Sequence, residues 1–248
     1  MSELYPLISC IMPTWNRRRF VPLALGYFVR QDYAGPLELL VIDDGDDPVG
    51  DLVQAAAERA PAGRTLRYLH LVGRHTIGAK LNYGVGLAQG DLLAMWGDDD
   101  WHAPCRLSRQ AEILQSNGYE ICGSDRCLFW DVRRDVAARY YYVPGRASSG
   151  YLVGGTMLFR RVYWEERPFE LISNGEDNAF IAGRLAGRAG FAEPDYYVAL
   201  IHGGNTSPAR IADGHEQFEA VDLAALAAIM GDDFGLYDGL RANVAGAA

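Results

Sequence analysis

Apolar and polar positions in the first hundred residues repeat a two-part rhythm. Leu7 to Met12 is a short, mostly apolar run stopped by Pro13, which predicts a buried strand running into a loop. Phe20 to Val29 then carries apolar residues at helical spacing. Leu37 to Ile42 predicts a second buried strand, ending in Asp43-Asp44-Gly45, and Val49 to Ala60 a second helix. A third strand over Arg67 to Val72, a helix over Ile77 to Ala88 and a fourth strand over Asp91 to Trp96 complete the series. The last of these runs straight into Asp98-Asp99-Asp100.

Strands that alternate with helices in this way predict a mostly parallel sheet with helices on both faces, because parallel neighbours need crossover connections. Ligands of such sheets bind beyond the carboxyl ends of the strands. The polar clusters fall there: Thr14 and Asn16 after the first strand, Asp43 and Asp44 after the second, Asp98 to Asp100 after the fourth. They are expected to converge on one crevice.

After a helix over Cys105 to Asn117 the rhythm changes. Strand-like pieces at Arg126 to Trp130, Arg139 to Val143 and Thr156 to Arg160 are separated by Gly, Pro and Ser, so this half is read as mixed. Asn178 to Ala189 predicts a helix, Tyr196 to Ile201 a strand and Gln217 to Met230 a terminal helix. The loop Gly203 to Pro208 is a candidate lid, and the tail from Ala242 is expected to fray.

Composition narrows the field. The 248 residues, 49% of them hydrophobic, are enough for one full core. No apolar run approaches the roughly 18 residues of a membrane span, and Met1 to Pro6 lack a basic start with an apolar block, so a cytoplasmic location without a transmembrane segment is expected. A net charge of −9 disfavours nucleic acid as a partner. Cys10, Cys105, Cys122 and Cys127 have neither the spacing nor the histidine companions of a zinc site. Of the 23 basic side chains all but Lys80 are arginine, which singles out that one ammonium.

Five features carry candidate chemistry. Three consecutive carboxylates need full solvation or a cation, and hard oxygen ligands suit Mg²⁺ or Mn²⁺ completed by phosphate and water. A solvated acidic turn is the commoner reading of such a triplet, but Trp96 and Trp101 on either side argue against it. Asp43-Asp44-Gly45 is either plain turn chemistry or an acceptor for a ribose hydroxyl or base N–H. Lys80, at the start of a helix, is either a surface lysine or a phosphate-binding cation. Glu176 and Asp177 precede the helix at Asn178, where they either cap it or offer an ionised carboxylate as base, held at low pKa by the helix dipole. His202 closes a strand before the Gly-rich loop and could ligate a metal or reach a phosphate; His70, His75, His102 and His215 are read as surface or partly buried. The glycines at Gly84, Gly86 and Gly90 lack the G-x-G-x-x-G spacing and lie at a helix end, which excludes a dinucleotide oxidoreductase.

Taken in order, Ile11 to Arg17, Val41 to Gly45, Ile77 to Gly84, Gly90-Asp91, Asp98 to Trp101 with Pro104 and Leu107, Gly155 to Arg161, Gly175 to Asp177 and His202 to Ser207 resemble the family 2 glycosyltransferases of the GT-A fold. The resemblance implies an α/β fold of GT-A type: a Rossmann-like, mostly parallel sheet with helices on both faces and a mixed acceptor-side half. It implies a single domain over residues 1–241, with a nucleotide-sugar-binding half to about 104 and an acceptor and catalytic half from about 105. Residues 242–248 form the tail.

For the site, the resemblance implies a nucleoside-diphosphate sugar bound by Pro13, Thr14, Asn16, Arg17, Asp44, Lys80, Asp98 and Asp99. Mn²⁺ or Mg²⁺ would be held by Asp100, Asp98 and His202, with Asp98 toward the ribose and Asp99 in support. Trp15 stands where the family usually has Tyr, and Gly97 where many relatives place another acid. Asp177 would be the general base of an inverting, hexosyltransferase-type displacement, with Glu176 orienting it or the acceptor. The acceptor is expected to be a small molecule, glycan or natural product presented to the Tyr140 to Gly155 region. A nucleotidyltransferase acting on a sugar phosphate and a non-catalytic nucleotide-sugar-binding protein are the alternatives. Neither the donor sugar nor the oligomeric state is readable.

Overall fold

The computed structural model describes residues 5–142, 150–206, 211 and 216–241. Its first half follows the predicted alternation: β1 (Ile8–Thr14), α1 (Val21–Val29), β2 (Leu37–Asp43), α2 (Gly50–Ala57), β3 (Arg64–His70), α3 (Ile77–Leu87) and β4 (Leu92–Met95). A two-residue strand β5 (Trp101–His102) follows the acidic triplet and leads to α4 (Arg106–Asn117). The second half holds β6 (Ile121–Gly123), β7 (Arg126–Asp131), β8 (Val136–Tyr141), β9 (Leu158–Arg160), α5 (Arg161–Glu166), α6 (Glu176–Ile181), β10 (Ala189–Phe191), β11 (Tyr197–Ile201), β12 (Phe218–Val221) and α7 (Leu223–Met230).

Among the described residues the strands form two sheets. The larger has the order β10-β6-β9-β4-β1-β2-β3, in which β1 pairs in parallel with β2 and β4, β2 with β3, and β10 with β6. Only β9 runs antiparallel to its neighbours β4 and β6. Every residue of the interior strand β2 is buried, as a parallel strand covered on both faces requires. The smaller sheet has the order β12-β8-β7-β11-β5, mixed as the changed rhythm predicted.

Two predicted helices are revised. The helix expected over Asn178 to Ala189 starts at Glu176 and ends at Ile181, because Ala182 leaves the helical region and Gly183 and Gly187 take positive φ (72° and 71°). Glu176 and Asp177 therefore lie inside its first turn rather than before it. The helix expected from Gln217 begins only at Leu223. Phe218 to Val221 instead pairs antiparallel with β8, and the Asp222 carboxylate accepts from Ala224 N (2.8 Å) to cap α7.

The approach of α3 to the sheet positions the site. A Cβ at Gly84 would lie 2.2 Å from Ile11 Cγ2 of β1, so glycine lets the helix backbone sit directly on the strand. One turn earlier on α3, Lys80 is thereby aimed at the end of β1. Gly84→Val should force this contact apart and cost about 1–3 kcal/mol, the usual penalty of overpacking. Urea unfolding measures it, and a variant as stable as the parent would contradict the close approach.

Candidate active site

The ends of β1 and β2 and the start of α3 meet through buried charge. Lys80 Nζ, 2% exposed as a residue, donates to Thr14 O (2.8 Å) and to Asp44 Oδ1 (2.7 Å). Arg74 Nη1 donates to the same Asp44 oxygen (2.8 Å), and His75 N to Asp44 Oδ2 (2.6 Å). Burial works against the Asp44 charge, but the Lys80 hydrogen bond, the His75 N–H and Arg74 outweigh it and hold the carboxyl below its ordinary value. Burial lowers Lys80 more than Asp44 raises it. The lone lysine is thus a tie between three elements, with two of its three donors on protein acceptors.

Asp43 and Asn16 shape the adjoining loops. Asp43 accepts from Gly45 N (2.8 Å), Val49 N (3.1 Å) and the Tyr68 hydroxyl (2.9 Å), which is the turn role. Asn16 adopts positive φ (52°) and its Oδ1 accepts from Asp46 N (2.8 Å), pinning the β1–α1 loop to the β2–α2 loop.

The acidic triplet is anchored on both sides by buried tryptophans: Trp96 Nε1 donates to Ala24 O (3.2 Å) and Trp101 Nε1 to Asp233 Oδ2 (2.9 Å). His102 is fully buried, against the surface or partly buried role expected for it. It stacks on Trp96, accepts from Arg106 Nη1 at Nδ1 (2.7 Å), and so carries its proton on Nε2, which faces Gly97 O (3.3 Å). Arg106, itself buried, also donates to Met95 O (2.7 Å). The backbone entering the triplet is held from beneath.

The three carboxylates then diverge. Asp100 is turned inward, accepting from the Tyr197 hydroxyl and from Leu200 N (3.1 Å) on β11, and burial together with the Asp99 charge pushes its pKa up. A Cβ at Gly97 would lie 2.4 Å from Asp100 Oδ2, so the placement of Asp100 explains why no acid stands at 97. Burial and Asp99 also raise Asp98. Asp99 faces His202: its Oδ2 is 3.0 Å from His202 Nε2 and 3.3 Å from Arg17 Nη1. Asn205 Oδ1 accepts from His202 N (2.9 Å) and Asn205 Nδ2 donates to Leu200 O (2.7 Å), which ties the start of the Gly-rich loop to β11.

A cavity of about 380 Å³ gathers Pro13, Thr14, Arg17, Lys80, Asp98, Asp99, Asp100, Glu176 and Asp177. Asn16 and His202 line a neighbouring one, and Asp44 lies beneath the first. Trp15, its ring under the Arg74 guanidinium at 3.9 Å, Tyr151 and Tyr197 also line the main cavity. Arg74, Tyr151 and Tyr197 have no local sequence signal, since each is placed by a distant partner. Ser207, Pro208, His215, residues 143–149 of the expected acceptor region and the tail from Ala242 lie outside the described residues.

Asp177 Oδ1 accepts from Asn178 N (2.8 Å), and its Oδ2 would meet a Cβ at Gly154 at 2.3 Å, so the Gly154-Gly155 turn packs directly on it. The low pKa expected from the helix dipole is not what the surroundings produce. Burial dominates and raises Asp177 despite three backbone N–H groups. Burial and the Asp177 charge push Glu176 up to about 7, and its Oε2 is buried without a partner among the described residues.

A parallel-sheet crevice with an acid triplet at one strand end, and Glu176 and Asp177 facing the same cavity, is the ligand-binding end of an α/β fold. The chain belongs to the family described as glycosyl transferase family 2, whose sequence profile matches residues 9–166. It is 26% identical over 144 residues to an uncharacterized glycosyltransferase of Rickettsia bellii, covering 54% of this chain and 20% of that protein. The fold is similar to S. aureus TarS 1-349 in complex with UDP-GlcNAc (TM-score 0.64, 18% identity, 96% of this chain and 71% of that one). It is also similar to the mannosyltransferase PcManGT from Pyrobaculum calidifontis in complex with GDP-Man and Mn2+ (TM-score 0.60, 20% identity, 79% and 57%). The chain thus spans about a fifth of the length of the Rickettsia protein.

The Glu176 environment has a pH signature. Its folded value of about 7 lies above the ordinary 4.5, so the native state binds more protons between those values. The stability this contributes is complete below the ordinary value and is lost as pH rises through the folded one. Glu176→Gln should therefore be more stable than the parent by about 1–3 kcal/mol at pH near 8 and equal to it near 4. Denaturant unfolding across this range measures the difference, and a pH-independent one would contradict the assignment.

Proposed function

We propose that the protein is an inverting glycosyltransferase that moves a sugar from a nucleoside-diphosphate sugar to an acceptor nucleophile. The observation that carries this reading is the convergence of Asp98, Asp99 and Arg17 with the buried Glu176 and the half-buried Asp177 on one cavity. The Trp15 ring offers a face for the nucleotide base, backed by Arg74.

Among the described residues no group of three or more His, Cys, Asp and Glu side chains is gathered as a metal cage. Two donors fit a cation that draws its other ligands from phosphate and water: Asp99 Oδ2 and His202 Nε2, 3.0 Å apart. We assign Mn²⁺ or Mg²⁺ to this pair in place of Asp100, because both Asp100 oxygens are already engaged by β11, and leave Asp98, on the same cavity, toward the ribose. Bound there, the ion supplies Lewis-acid neutralisation of the charge on the departing diphosphate.

The residues of the chain divide the remaining work. Asp177 accepts the proton of the acceptor hydroxyl as the acceptor oxygen bonds to the anomeric carbon and the bond to the diphosphate oxygen breaks. Its raised pKa suits a base better than a dipole-stabilised carboxylate would. Glu176, in part protonated near neutrality, can donate to or accept from a substrate hydroxyl through Oε2. Lys80 and Asp44 hold the loops that frame the donor. A nucleotidyl transfer would use the same nucleotide end without Asp177.

Asp99→Ala should lose Mn²⁺-dependent binding of a nucleoside diphosphate in calorimetry, and parent-like affinity would sink the metal assignment. Asp177→Asn should retain donor binding and lose at least about 10²-fold in transfer rate, the scale of a missing general base. Normal turnover in that variant would exclude Asp177 as base and favour nucleotidyl transfer.

A further inference from the structure

We propose that Arg17 is a displaceable counter-ion: its guanidinium holds the cation position beside Asp99 and His202 in the free protein and leaves it when a divalent ion binds. The proposal rests on the Asp99–His202 metal pair assigned above. Arg17 Nη1 is 3.3 Å from Asp99 Oδ2 and 2.9 Å from His202 Nε2, and these two atoms are 3.0 Å from each other. The three make a closed triangle. A metal ion ligated by both Asp99 Oδ2 and His202 Nε2, at the roughly 2.0–2.2 Å of such bonds, would lie within about 4 Å of the guanidinium nitrogen, where like charges repel. Guanidinium and ion are alternatives.

The hydrogen-bond roles show why the guanidinium is the weaker occupant. Gly204 N donates to His202 Nδ1 (3.3 Å), which places the ring proton on Nε2 and lets Nε2–H donate to Asp99. Arg17 Nη1, which can only donate, then faces a second donor across 2.9 Å. Its direct ion pair is with the Asp99 carboxylate, Asp98 adds a further charge attraction, and the contact with the imidazole is a cost that departure relieves. A metal ion would need the Nε2 lone pair, so the proton would move to Nδ1 and the Gly204 contact would be lost. Occupancy of the site is thereby tied to the start of the Gly-rich loop.

Departure does not disturb the fold. The Arg17 backbone carbonyl accepts from Phe20 N (2.8 Å) and Val21 N (3.1 Å) to start α1, so the side chain can swing while the main chain stays. The side chain lines both the main cavity and the neighbouring one of about 470 Å³, and therefore forms part of the wall between them. Swung into the main cavity, it becomes a fork-shaped donor for the diphosphate of the nucleotide. Ion and nucleotide then favour each other, because each rewards the same Arg17 movement.

The test is a titration of Mn²⁺ followed by electron paramagnetic resonance of the free ion, on parent and Arg17→Ala, each with and without a nucleoside diphosphate. The parent should bind Mn²⁺ weakly alone and more tightly with nucleotide. Arg17→Ala should bind Mn²⁺ alone about tenfold more tightly than the parent, and nucleotide should add less. Arg17→Gln, which keeps the stem and removes the charge, should behave in the same way and replaces the alanine variant if that fails to fold. Unchanged or weaker Mn²⁺ binding in the folded variants, with the parent still responding to nucleotide, overturns the counter-ion role and leaves the metal pair standing. No Mn²⁺ binding by the parent even with nucleotide overturns both.

Discussion

A single ammonium, buried between two strand ends and a helix, carries the geometry of the nucleotide end of the cleft. Lys80 reaches from α3 to the last carbonyl of β1 and to the Asp44 carboxylate just beyond β2. Asp44 in turn collects Arg74 and the His75 N–H from the connection that follows β3. Breaking such a buried pair from one side typically costs about 3–5 kcal/mol, because the remaining charge is left without compensation. The cost of burying the ions is offset only because every oxygen of Asp44 and two donors of Lys80 have partners. The consequence for function is positional: the loops bearing Trp15, Asn16 and Arg17 are held in register with the acid triplet.

A second buried network performs the same task for the triplet. Arg106 and His102 lie under Met95 and Gly97, and the two tryptophans clamp the turn from either side. With its ends fixed, the turn can send its carboxylates in different directions. Asp100 goes into the protein, where Tyr197 and β11 satisfy it, and Asp99 goes toward His202 and Arg17. Three adjacent like charges are tolerated because two of the carboxyls are shifted toward the neutral form by burial and by Asp99. Asp99 keeps a direct ion pair with Arg17 at the surface of the cleft.

The local pattern made most of the first sheet legible. Strand ends at Thr14, Asp43 and Met95 lie within a residue or two of the predicted boundaries, since β1, β2 and β4 are buried on both faces and read as short apolar runs. The helices at 178 and 217 were misread for opposite reasons. In the first, glycines with positive φ interrupt an apparently continuous pattern, and in the second a strand pairing with β8 overrides helical spacing in an ambiguous stretch. At the site, the gathering of Thr14 with Asp98, Asp99 and Asp100 follows from strand-end position, whereas Asn16, Asp43 and Asp44 shape the loops around the cavity. The division of labour was not readable, because it depends on contacts across the chain: Tyr197 with Asp100, Asp44 with Lys80, His202 with Asp99. The low pKa expected for Asp177 failed similarly, since a helix N-terminus is visible in the sequence and burial under Gly154 is not.

The donor pocket is the claim on which the remaining assignments rest, and ligand linkage tests it directly, since a ligand that binds only the native state raises the melting temperature. The measurement is a thermal-shift screen of nucleoside-diphosphate sugars with and without Mn²⁺. A concentration-dependent rise for one nucleotide class, larger with Mn²⁺ than without, is the predicted result. No shift with any nucleoside-diphosphate sugar, at concentrations that saturate related sites, would contradict the account.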